Sequence, residues 1–215
     1  MRSPHAEGAR GSLKWLQRAI EHKPQIIQPK NLPTINWRSQ LRSDEFAEYR
    51  DASFLNRIGC QSLVDQLSAF WPSRGPQWDA LGVFDNGVLL VEAKAHINEF
   101  FSPPSQASQR SLLRIKTSLQ AVAEDLGSNC GEDWHRLYFQ YANRIAHLAF
   151  MRQNGVNAHL ALIGFVGDED MNGPMHAEAW TVAYQSADYV LGLKKSHKLS
   201  KYIHHVCPNI RDLIW

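Results

Sequence analysis

Most features that would place a 215-residue chain in a special class are scarce here. There are only three cysteines, Cys60, Cys130 and Cys207. Their number is odd and none forms a C-x-x-C pair, which argues against a disulfide framework and for reduced thiols. No apolar run approaches the ~18 residues that a membrane span needs. The polar stretch from Met1 to Gly11 lacks the apolar core of a secretory signal, so cytoplasmic residence is the expectation. The net charge is only +2. That is short of the usual footprint of a nucleic-acid-binding domain, although a local basic face is enough to bind phosphate. Dinucleotide-binding, P-loop and nucleophile-elbow patterns are missing. Ten histidines are present, but none, His204-His205 included, has zinc-ligand spacing.

The long helical periods favour an α/β or α+β protein over an all-β one. Residues 1–43 read as an N-terminal arm. It carries a short helix around Leu13, Trp15, Leu16 and Ile20, then Pro24, Pro29 and Pro33, which break regular structure. Residues 44–215 read as a single domain. Ser43-Asp44-Glu45 predicts a helix start, with the helix running to Ile58. A second helix shows Leu63, Val64, Leu67, Phe70 and Trp71 on one face. Strands are expected at 77–84 and 88–95, joined by Asp85-Asn86-Gly87, a strong hairpin signal. Helices follow over 112–126 and 133–153. A strand buried on both faces is expected at 158–166 and another at 179–182. The end of the chain reads as a short helix near 186–193 and an ordered tail at Trp215.

The hairpin carries the chemistry. Side chains alternate along a strand, so Leu89, Val91, Ala93 and Ala95 form an apolar face. Val88, Leu90, Glu92 and Lys94 form the other, which turns from apolar to charged halfway along. An antiparallel hairpin turning at 85–87 puts Asp79 opposite residues 93 to 95, near the Glu92–Lys94 end. Carboxylates placed together repel one another, and a bound Mg²⁺ relieves the conflict. An acid-x-lysine pair alone is weak, since Glu21-His22-Lys23 matches too. That match lies in a polar segment beside Pro24, without a strand or a partner aspartate.

Asp79 on one strand, with Glu92-Ala93-Lys94 on its neighbour, resembles the PD-(D/E)XK nuclease superfamily over residues 44 to 166. The resemblance implies an α/β fold with a restriction-endonuclease-like core of helix, three strands, helix and strand, its mixed central β-sheet flanked by helices, with extra helices at the N-terminal arm. It implies Mg²⁺-dependent hydrolysis of nucleic acid, DNA first, by metal-activated water, with Mn²⁺ as a substitute ion. Asp79 and Glu92 would bind metal and Lys94 would assist the water. Glu48 from the first helix would complete the metal shell, with Glu45 as its rival. Gln140 and His96 are the accessory candidates. Trp78 replaces the family's proline. The family's strand between the first helix and the aspartate strand is missing, because residues 59–76 read as helix. The basic run Lys194 to Lys201 reads as a solvated face that, on a nuclease, contacts phosphate backbone. A homodimer is compatible with this reading. The alternative is an inactive member of the same fold that binds nucleic acid or protein.

Overall fold

In the computed structural model, which describes residues 1–214, the strands are β1 (Arg2–Ser3), β2 (Asn36–Trp37), β3 (Glu48–Tyr49), β4 (Ala80–Phe84), β5 (Gly87–Lys94), β6 (Ala158–Gly164) and β7 (Ile203–Val206). The helices are α1 (Gly11–His22), α2 (Ala52–Arg57), α3 (Val64–Phe70), α4 (Gln109–Asp125), α5 (Phe139–Gln153) and α6 (Ala177–Val190). Trp215 lies outside the described residues.

The hairpin seeds the sheet. Asn86 takes a positive φ of 60° in the turn, and β4 and β5 pair antiparallel from Phe84↔Gly87 to Ala80↔Val91. Gly87 is required there, because a Cβ would sit 2.3 Å from the Phe84 ring. The α4–α5 crossover then returns the chain in the same direction, so β6 pairs parallel to β5. Every residue of β6 is buried, as expected of a strand covered on both faces. β2 adds antiparallel to β4 and β7 adds parallel to β6, giving a mixed sheet of order β2-β4-β5-β6-β7.

Alternation sorts the sheet into two cores. Leu81, Val88, Leu90, Leu160 and Leu162 face one side, where they join Ile145, Leu148 and Ala149 of α5, Leu119 of α4 and Trp180 of α6. Ala80, Leu89, Val91, Ala93 and Ile163 face the other and pack with Trp15, Leu16, Ala19 and Ile20 of α1. α5 is buried from Tyr141 to Met151, the pattern of a helix with neighbours on all sides. Among the described residues no helix is long and apolar enough to cross a membrane. The three cysteines are free and half-buried.

Several expectations change. The segment read as an arm supplies α1 and the edge strand β2, so it covers one face of the sheet. The helix expected from Ser43 to Ile58 is interrupted. Glu45, Phe46 and Asp51 have positive φ angles of 50°, 47° and 54°, which an α-helix excludes. Only Ala52–Arg57 is α-helical, Arg42–Asp44 forms a single 3-10 turn, and Glu48–Tyr49 is a strand paired with Arg2–Ser3. The helix expected from 133 begins at Phe139. The strand expected at 179–182 lies inside α6, because Trp180, Tyr184 and Ala187 recur at helical spacing and are buried together. The third antiparallel strand comes from β2, ahead of α2 and α3 in the chain.

Candidate active site

The structure brings Asp79, Glu92 and Lys94 together at the carboxyl end of β5. Continuing the β4–β5 register by one residue sets Asp79 opposite Glu92. Directly opposed residues share a face, so Asp79 lies on the charged face of the hairpin. Its Oδ2 accepts a hydrogen bond from the Ala93 backbone N–H at 2.7 Å.

Glu92 and Lys94 are 4 % and 7 % exposed, so neither charge is hydrated as a surface group would be. Lys94 Nζ donates to Glu92 Oε1 at 2.8 Å and to Gln140 Oε1 at 2.9 Å. Gln140, in the first turn of α5, is thus an immediate neighbour of the lysine.

Arg144, which the sequence reading did not single out, completes this network. Its Nε donates to Glu92 Oε2 at 2.6 Å, and its Nη2 reaches the same oxygen. Nη2 also donates to the Gln77 carbonyl at 2.8 Å. The guanidinium lies 4.8 Å from the centre of the Trp78 ring, a cation–π arrangement. A usable signal was present. Arg144 follows Gln140 by one helical turn, and residues four apart share a helix face.

Glu48 arrives on β3 rather than on a helix. A bridge between Tyr49 and Trp78 ties its strand to the segment before Asp79. Gln77 Nε2 donates to Glu48 Oε2 at 2.6 Å and Gln40 Nε2 to Oε1 at 3.2 Å. His5 Nε2 lies 3.3 Å from the same carboxylate. Glu45 stays apart, exposed and paired with Arg2 at 2.7 Å. The strand ends at Lys94, and His96 meets Glu99 at 3.3 Å and does not line the cleft beside Asp79.

A cleft of about 700 Å³ opens beside these groups, with Glu48, Gln77, Asp79, Glu99, Gln140 and Arg144 in its wall, while the buried Glu92 and Lys94 lie behind that lining. The carboxyls differ in character. Burial, then the charges of Glu92 and Glu48, pushes the Asp79 carboxyl well above the usual carboxylate range. Glu48 is raised too, chiefly by burial. Burial acts to raise Glu92 as well, but Arg144 and Lys94 overcome it and hold that carboxyl low.

Among the described residues no group of three or more histidine, cysteine, aspartate or glutamate side chains is arranged to hold a metal ion. Mg²⁺ asks for less, taking one or two protein carboxylates and filling its shell with water and phosphate. Asp79 and Glu92, opposed across two paired strands, are the two carboxylates that would supply it. Glu92 would have to share an oxygen now held by Arg144 or Lys94. A comparison of the chain with family models, with curated proteins and with solved structures finds no match in any of the three.

Proposed function

We propose that the chain is a metal-dependent nuclease with a restriction-endonuclease-like core, hydrolysing phosphodiester bonds of nucleic acid, with DNA as the first substrate to test. The observation that carries this reading is the meeting of Asp79, Glu92 and Lys94 on paired strands beside an open cleft. The order α1, β2, β4, β5, helical crossover, β6 supports it, since the nuclease superfamily shares the order helix, three strands, helix, strand. Here α2 and α3 are inserted between the first and second of those strands.

Asp79 and Glu92 would hold the metal ion. Mg²⁺ supplies positive charge against a phosphate and acidifies a water molecule. Lys94 has three N–H donors. Glu92 and Gln140 take two of them, and the third is left for the attacking water or a phosphate oxygen. Gln140 and Glu92 hold the ammonium in place, so no reorientation is needed when charge develops. Arg144 sits in the same wall and adds positive charge beside the cleft.

One observation favours a second reading. Both oxygens of Glu92 are already held by cations. A site stabilised that way could serve a binding module of the same fold that needs no metal. Calorimetric titration with Mn²⁺ separates the two. The nuclease reading expects one ion to bind the wild-type protein and Asp79→Asn to lose that binding. A wild-type protein that takes no ion would favour the binding module.

A further inference from the structure

A second cavity, of about 530 Å³, has Tyr141, Tyr184, Asp188, Tyr189, Lys195 and His205 in its wall. It shares no lining residue with the Asp79 cleft, yet α5 serves both. Gln140 and Arg144 line the cleft, while Tyr141 lines the cavity. Phe100 stands between them. Its ring lies 5.5 Å from that of Tyr141 and 4.8 Å from that of Tyr184, and the next residue, Phe101, lines the cleft.

The cavity is aromatic and short of charge inside, and basic where it opens. The Tyr184 and His205 rings lie 4.5 Å apart. Tyr184 is 3 % exposed, and among the described residues its hydroxyl has no hydrogen-bond partner. Burial, with Glu92 and Cys207 adding to it, raises this phenol well above its ordinary value, so it remains an O–H donor at neutral pH. Tyr141 Oη donates to Asp188 Oδ1 at 2.8 Å. Tyr189, 85 % exposed, and the exposed Lys195 stand where the cavity meets solvent. Lys195 belongs to the basic run Lys194 to Lys201, which the nuclease site leaves unused.

A free phosphate would find little positive charge inside, and a purely apolar ligand would leave the Asp188 carboxyl and Lys195 unmet. A nucleotide answers both demands. Its base has π-faces for the aromatic rings and a polar edge for Asp188, and its phosphate suits a lysine at the mouth. We propose that this cavity takes one unpaired nucleotide of a nucleic-acid strand, with the base beside Tyr184, Tyr189 and His205 and the phosphate toward Lys195. The choice of a nucleic-acid strand rests on the nuclease reading of the neighbouring cleft.

The test is binding of a fluorescein-labelled single-stranded DNA dodecamer to the full chain, followed by anisotropy in EDTA so that no strand is cut. Tyr189→Ala and Lys195→Glu should each weaken binding about tenfold. A duplex with a single-stranded overhang should compete roughly tenfold better than a blunt duplex. The proposal is overturned by a wild-type protein that does not bind the strand, by folded variants that all bind as wild type, or by equal competition from the two duplexes. Cleavage in Mg²⁺ on the same preparations keeps the two ideas apart. Binding through the cavity without any cleavage would contradict the nuclease reading and leave the nucleotide site standing. Cleavage by a protein whose cavity variants bind normally would do the reverse.

Discussion

Asp79→Asn is expected to lower metal-dependent cleavage by at least about a hundredfold while leaving the fold in place. The amide oxygen can still accept the Ala93 N–H that the carboxylate accepts now, so the hairpin keeps its tie. What is lost is the negative charge that would hold the metal. The sign of the stability change follows from the direction of the pKa shift. The Asp79 carboxyl is raised in the folded protein, so the unfolded chain gives up this proton at lower pH than the folded one does. Stability therefore falls as pH rises from the unfolded carboxylate pKa toward the folded one. The amide cannot ionise and escapes this cost. Asp79→Asn should thus melt at the same temperature as wild type or higher at pH 7, and scanning calorimetry beside the cleavage assay would show it. Lys94→Ala should lose activity as well, but it strips a donor from both Glu92 and Gln140 and should melt lower.

Arg144→Ala carries the largest expected effect on stability. Glu92 is buried with each oxygen on a cation. Removing one partner of a buried ion pair costs about 3 kcal/mol, because the remaining charge keeps its desolvation penalty. In a protein of this size that corresponds to a drop in melting temperature of roughly 6–12 °C. Trp78 would lose its cation and the Gln77 carbonyl its donor in the same step. Arg144→Lys should recover only part of the loss, since an ammonium cannot reproduce the fixed geometry of the guanidinium. A melting temperature within about 2 °C of wild type for Arg144→Ala would show that the Glu92 network is not a structural element of this wall.

The hairpin was legible because its signals are local. Asp85-Asn86-Gly87 sets the turn, and alternation along β5 gives an apolar face and a face that ends in charge. The register differed by one residue or more from that expected, with Asp79 opposite Glu92 rather than opposite residues 93 to 95. Glu48 lines the cleft from a two-residue strand, not from the helix expected for it. Left-handed backbone at Glu45, Phe46 and Asp51 leaves little trace in sequence when the residues are not glycine. β2 is only two residues long, too short for any period to show, and its pairing partner lies more than forty residues on. α6 was misread because Ala-Trp-Thr-Val suits a strand locally, whereas packing of Trp180, Tyr184 and Ala187 selects a helix. Arg144 stayed hidden because its partner Glu92 is 52 residues away and only the fold brings them together.

Cleavage of end-labelled DNA by the full wild-type chain, first in Mg²⁺, then in EDTA, then with Mg²⁺ restored in excess, tests most directly whether the Asp79–Glu92–Lys94 cleft is a metal-dependent nuclease centre. The expected result is cleavage in Mg²⁺, its loss in EDTA and its return with the metal. Intact DNA in Mg²⁺, or cleavage that persists undiminished in EDTA, would contradict that assignment.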